Sequence, residues 1–377
     1  STRKESSAAS DVYKRQVAAY NQGLDADGRE YLVVIVKGTF DLPVDGSVAR
    51  LLDEQQPLLM SDTFAGDPAL SAPLREFDFA PFKPYCDVLV SGSAHAPGGR
   101  PVSQLTVGIR VGRVSKAFSV YGPRHWQPGA LGTSASAPQP FVRQDISYAS
   151  AFGGHHPAPG NPEQLLCNLR NPAGQGWYPR SLSSGTVVGM PMPNTEKLGQ
   201  PVDAPHGDFE PMALGPLGKH WQARVGFAGT YDQAWQDEQF PFLPRDFDER
   251  YFQAAPADQQ TDYLKGGEEV FLLGLLPTER AGFRVPSVRM PVTYFLSTGG
   301  HETAQAVIDT LLVDIDANRV EITWRTRRPL KRSLFEIAQV LVGEKSRGWW
   351  RARELGKDYY PSLAALSRSR STEDELS

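Results

Sequence analysis

The residues best suited to chemistry are few and irregularly placed. Asp62, Asp67, Glu76 and Asp78 fall between Glu54 and Phe82, in an acidic stretch broken by prolines. Paired carboxylates can act as a catalytic acid and base or hold a cation. Their spacing matches no EF-hand-like loop, so they read as solvated loop carboxylates. His155 and His156 are neighbours, but adjacent residues seldom ligate one ion together. No Cys, Asp or Glu stands at a regular interval from them, so no metal is expected. Cys86 and Cys167 make neither a disulfide framework nor a zinc site by themselves. They read as small buried residues in a reducing compartment. The sequence has no Gly-x-Ser-x-Gly elbow, phosphate-binding loop, dinucleotide fingerprint or His-Glu-x-x-His helix. Catalytic groups can still converge from distant loops, so this lowers the expectation of an enzyme without removing it. No cofactor and no catalytic residue are expected.

The elements that would position such groups are mostly strands. Tyr31-Leu-Val-Val-Ile-Val36 is a brief valine-rich run that reads as a strand buried on both faces. Cys86–Val90 is a second strand. Ser103–Val111 and Val114–Tyr121 alternate around Gly112-Arg113 and predict a hairpin, with Leu105, Val107, Ile109 and Val111 on one face. His125 and Trp126 then leave the sheet at a packed corner, and Thr133–Pro140 reads as a connector. A second β region spans 266–329, with strands at Glu269–Leu273, Phe283–Val285 and Thr293–Phe295, and Thr310–Ile315 paired to Val320–Thr326 through Asp316-Ala-Asn318. Ser333 with Glu336 matches a capping box before Ile337, Val340 and Leu341, which predicts a short helix ending at Gly343. Arg325, Arg327, Arg328, Lys331 and Arg332 form a basic cluster, read as a solvated strand end, with an anion patch as the alternative. Trp349 and Trp350 are expected to pack on the sheet.

Between these β regions the chain is dominated by glycine, proline and aromatics. Phe152–Pro179 holds Gly153, Gly154, Gly160, Gly174 and Gly176 together with five prolines. Glycine permits close backbone approach, whereas proline fixes φ and removes a donor. The stretch is therefore either disordered or a long ordered loop pinned by Tyr148, Phe152, Trp177 and Tyr178. Long loops in compact domains usually serve function.

Length permits two domains or one large β architecture. The expected fold is mainly β: sandwich-like sheets with long ordered Gly/Pro/aromatic loops and one or two short C-terminal helices. The expected regions are a non-native leader at 1–16, resembling an adapter read-through, a β region at 17–140, and a loop-rich aromatic region at 141–265. A second β region at 266–345 and a tail at 346–377 complete the chain. The natural start and any targeting signal on it would then be missing. Because both β regions hold a hairpin ending near a tryptophan, a duplicated half is considered. The net charge of −4 argues against a general polyanion binder, so no nucleic acid is expected. No apolar run approaches the roughly 20 residues of a membrane-spanning helix, so no membrane partner is expected.

Several stretches together carry a resemblance: Val34–Asp41, Tyr85–His95 with Pro97–Pro101, Val120–Trp126, Tyr148–Gly154, Asn171–Gly174, His220–Arg224, Ala228–Asp232 and Phe252–Pro256. In this order they are similar to the bacterial domain-of-unknown-function 2169 family, found beside type VI secretion toxins. The resemblance implies a cytoplasmic adaptor or chaperone. It would hold the N-terminal region of a type VI effector and help load it onto the VgrG or PAAR-like spike. The family brings no established catalytic residues. Partner contact is expected around Tyr148, Phe152, Asn171 and Trp177, with Trp126 and Trp221 nearby; the alternative is that each locks the loop. Two other readings stand beside this one: a carbohydrate-binding or carbohydrate-active β protein in which Trp126, Trp221 and Trp324 stack sugars, and a non-catalytic domain fused to a secreted toxin.

Overall fold

The run at Tyr31–Val36 lies within a strand, Glu30–Asp41, whose residues from Leu32 to Phe40 are all buried. In the computed structural model, which describes residues 16–130 and 132–360, this strand is second in a six-stranded sheet. The order across that sheet is Val17–Leu24, Glu30–Asp41, Arg319–Pro329, Val307–Asp314, Cys86–Ser91 and Gln260–Thr261. Cys86–Ser91 runs parallel to Val307–Asp314; the other pairings are antiparallel. The leader apart from Gln16, and the frayed end expected from Ser367, lie outside the described residues.

A second sheet has five strands, ordered Thr195–Lys197, Val114–Tyr121, Gln104–Val111, Glu269–Leu273 and Arg280–Arg284. Its hairpin turns at Gly112 with φ 56°, a left-handed conformation that glycine adopts without a Cβ penalty. One apolar core joins the two sheets. Leu32, Val34, Val36, Val88, Val90, Ile322 and Trp324 of the first belong to the same cluster as Val107, Ile109, Phe118, Val270 and Leu272 of the second. The fold is thus mainly β, with sandwich-like sheets and few short helices, as expected. Both sheets draw strands from both β regions, so those regions interleave and do not fold as separate halves.

The capping-box reading fails. Ser333 is extended and caps nothing, and Leu334–Glu336 is a single 3₁₀ turn. Ile337–Val342 is a strand paired with Pro291–Leu296, in a three-stranded sheet completed by His301–Gln305. Its Ile-Ala-Gln-Val-Leu-Val pattern fits helical spacing, but an open strand edge was available to pair. The C-terminal helix is instead Arg347–Glu354, capped by Ser346, whose side chain accepts the Trp349 N–H. Trp349 and Trp350 pack on Phe295 with ring centroids 6.5 and 5.9 Å away, which agrees with the expected packing of this pair on the sheet.

The connector at Thr133–Pro140 is partly strand, since Gly132–Ala135 pairs with Trp126–Gly129. The Gly/Pro stretch is ordered by short pairings: a hairpin of His155–Ala158 with Asn161–Cys167, and a parallel contact of Phe152–Gly153 with Gln175–Gly176.

Candidate functional site

Strand alternation places Leu32, Val34 and Val36 in the core and turns Lys37 to the other face of the six-stranded sheet. Asp87, Thr310, Glu321, Thr323 and Arg325 line the cavity on that face or bond into it. The residues from Glu54 to Phe82 cover it, and burial of so many charges is tolerated only when they are paired. Lys37 Nζ lies 2.6 Å from Asp78 and 3.5 Å from Glu321. Lys83 Nζ reaches Glu76 at 3.1 Å and Asp87 at 2.8 Å. Arg224 contacts Glu76 at 2.7 Å and Arg325 contacts Asp309 at 2.5 Å. Arg75 and Arg319 share Asp314 and Glu321.

Six cations, Lys37, Arg75, Lys83, Arg224, Arg319 and Arg325, thus meet six carboxylates, Glu76, Asp78, Asp87, Asp309, Asp314 and Glu321. The charges balance. Lys83 is raised above its ordinary range: burial would lower it, but Asp87 and Glu76 prevail. The cavity they surround is only about 40 Å³, room for a water or two rather than a substrate.

This corrects the reading of Glu76 and Asp78 as solvated loop carboxylates: both are buried. Asp62 pairs with Lys219 at 2.9 Å, and Asp67 folds its own loop by accepting the Ala69 N–H. The basic cluster is likewise only in part a solvated strand end: Lys331 and Arg332 are exposed, but its three other members are paired. Arg325 is buried against Asp309, Arg327 pairs with Glu249, and Arg328 pairs with Glu302 and Glu336. The missed signal was a charged residue inside each of two buried, valine-rich strands, Lys37 and Asp87.

The six expected contact residues form two knots inside the loops. Tyr148 packs edge-on against Trp221 at 5.2 Å, and Phe152 against Phe209 at 5.1 Å. Asn171 is fully buried and donates to the carbonyls of Tyr148 and Phe152 at 2.8 and 3.2 Å. Trp126 Nε1 donates to Gly176 O at 3.2 Å. Tyr148, Phe152, Asn171, Trp126 and Trp221 are all buried, and Trp177 is half-buried. The five buried side chains pack within the loops, and Trp177 packs against the cluster of Trp126 and Phe152. Trp324 is buried too, so none of the three tryptophans offers a ring face to a sugar. Tyr148 is nevertheless at the rim of a hollow, where it forms part of the wall. Burial raises its hydroxyl above the usual phenol range.

Two hollows open on the surface beside that knot. One, of about 350 Å³, includes Lys116, Tyr148, Glu210 and Asp258; the other, of about 460 Å³, includes Tyr85, Arg113, Phe227 and Arg250. Leu217, Ala223 and Pro256 line both, so the hollows adjoin along an apolar ridge. The charged network fixes these walls. Asp87 accepts the backbone N–H groups of Ala254 and Ala255, and Gln253 bridges from Asp87 to the Tyr85 N–H. Arg224 donates to the carbonyls of Leu217 and Tyr251. Sequence reasoning missed this groove because its walls come from six separated stretches of chain.

Residues 27–325 match the model of a family described as an uncharacterized protein conserved in bacteria, DUF2169. The chain belongs to the DUF2169 family. No curated protein and no solved structure matches it. In this DUF2169 chain the match ends within the strand Arg319–Pro329, so both sheets and the two hollows lie largely inside it. Among the described residues, no group of three or more His, Cys, Asp or Glu side chains is arranged to hold a metal. Among them, too, no helix is long and apolar enough to cross a membrane.

Proposed function

We propose that this protein is a non-catalytic adaptor that grips a polypeptide: the N-terminal region of a type VI secretion effector, held in the bacterial cytoplasm for loading onto a VgrG or PAAR-like spike. One contrast carries the reading. The deepest ionisable groups neutralise one another around a cavity of about 40 Å³, whereas the roomy hollows of about 350 and 460 Å³ open outward. Acid–base catalysis needs a free titratable group within reach of a bound substrate; Lys116, the buried amine at the smaller hollow, is engaged by Asp258 and Gln259 at 3.1 and 2.9 Å. Reversible capture of a chain instead needs a preformed surface of mixed apolar and polar character. The ridge of Leu217, Ala223 and Pro256 flanked by arginines and acids has that character. The secretion setting comes from the family resemblance.

The test is co-expression with the toxin encoded beside this protein, followed by purification through a tag on the toxin. A stable complex that protects the toxin's N-terminal region from protease supports the proposal. A correctly folded protein that leaves the toxin uncaptured overturns it.

A further inference from the structure

We infer that the larger hollow is a docking cradle for an extended acidic segment of a polypeptide, with Arg113 and Arg250 as its carboxylate-binding groups. The inference rests on the adaptor reading and specifies the chemistry of the captured chain. The protein carries a net charge of −4, yet no acidic residue lines this hollow, and three arginines do. The wall of this hollow therefore presents cationic and neutral groups only, the acids paired with its arginines lying outside the lining.

Arg224 is committed: its guanidinium serves Glu76 and the carbonyls of Leu217 and Tyr251. Arg113 and Arg250 are different. Each side chain is 52% exposed, yet each is held against a ring, Arg113 at 5.1 Å from Tyr85 and Arg250 at 4.4 Å from Phe227. Stacking fixes the plane of a guanidinium and leaves its edge donors pointing outward. Arg250 gives Nε and Nη2 to one oxygen of Asp248; Arg113 donates Nε to the Gln260 carbonyl and has Nη1 in an ion pair with Asp262 at 3.2 Å. Among the described residues, Arg250 Nη1 and Arg113 Nη2 have no hydrogen-bond acceptor. Asp262 is exposed and Asp248 half-buried, and both pairs are open to solvent at the arginine, so these contacts can exchange at modest cost.

A chain in extended form points alternate side chains to opposite sides. Carboxylates on one side would meet the two guanidinium edges, while apolar residues on the other would lie on Leu217, Ala223 and Pro256. Because the rings preorder both arginines, less side-chain freedom is lost on binding. A nucleic-acid strand would offer anions too, but the acidic protein around this single hollow disfavours a long polyanion.

The experiment is fluorescence anisotropy with short labelled peptides that alternate Glu and Phe, or Lys and Phe, and with a single-stranded oligonucleotide. The Glu peptide is expected to bind, more weakly as salt rises, and the other two are not. Arg113→Glu with Arg250→Glu should weaken it by about tenfold or more, while Arg280→Glu, on the far edge strand of the five-stranded sheet and outside the hollow, should not. Arg113→Gln with Arg250→Gln serves if the double charge reversal does not fold. Equal binding of all three probes, or no loss in the folded cradle variant, overturns the cradle. The two readings fail separately. Toxin capture that survives the cradle variant removes only the cradle. Binding of the Glu peptide without any toxin capture removes only the adaptor.

Discussion

The carboxylate of Asp87 accepts the backbone N–H of Ala254 at 2.8 Å, joining a central strand to the wall of the surface groove. The same oxygen lies 2.8 Å from Lys83 Nζ. One buried acid thus belongs both to the balanced charge network and to the scaffold of the proposed cradle, so the network's protonation bears on the groove's shape.

That acid and its neighbour Glu76 should shape stability against pH in opposite senses. Burial raises the Asp87 carboxyl above its ordinary 3.8, despite Lys83 beside it. Between 3.8 and the raised value the folded state binds more protons than the unfolded one, so stability falls as pH rises. Glu76 is held below its ordinary 4.5: burial would raise it, but Lys83 and Arg224 prevail. Its contribution is present above 4.5 and is lost as pH falls. Urea unfolding between about pH 3 and pH 6 should show Asp87→Asn steepening the rise of stability with pH, and Glu76→Gln flattening it. The same change of slope in both variants would contradict the shifts.

Arg224→Met removes one partner of a buried pair and should cost on the order of 3 kcal/mol. The Arg224→Met, Glu76→Gln double variant should lose less than the sum of the singles, because the uncompensated charge is gone. Strict additivity in chemical denaturation would show that the 2.7 Å contact carries no coupling.

The Asn171 knot predicts two sensitive positions. Asn171→Ala leaves the buried carbonyls of Tyr148 and Phe152 without this donor and should cost about 1–3 kcal/mol. A Cβ at Gly174 would stand 2.4 Å from Asn171 Nδ2 and 2.5 Å from the Ala151 carbonyl, so Gly174→Ala should displace the loop. Gly226→Ala is the control: its φ is −61° and the nearest atom to the added methyl, the Gln222 carbonyl oxygen, would lie 3.9 Å away. Thermal midpoints should fall clearly for the first two and only slightly for the third.

Ser346→Ala removes the cap of the helix Arg347–Glu354 and its bond to the Tyr359 hydroxyl at 2.9 Å. A loss of about 1 kcal/mol is expected. Because Trp349 and Trp350 rest on Phe295, tryptophan fluorescence should report it. Unchanged emission through the unfolding transition would mean that the helix does not depend on its cap.

Local pattern revealed the strands whose partners are close in sequence and the turn at Asn318, which has φ 52°. It also suggested the ordered aromatic loops. It failed where the decisive neighbour is remote. Ile337–Val342 has apolar residues at both helical and strand spacing, and only the edge of Pro291–Leu296 selects the strand. Glu76 and Asp78 sit in a proline-broken loop with nothing nearby to mark them as buried; their cations are Lys37, Lys83 and Arg224. Tryptophan and asparagine in a glycine-rich stretch suit an interface as well as a core, and only the fold shows Asn171 enclosed.

Tyr31 is paired with Pro329, at nearly opposite ends of the matched family region. A nascent chain emerging from the ribosome cannot complete its principal sheet until that late segment has been made. The early strand can pair with Val17–Leu24, but its other edge must wait open in the meantime. Assembly of this protein should therefore be late and slow, governed by the closure of one very long loop.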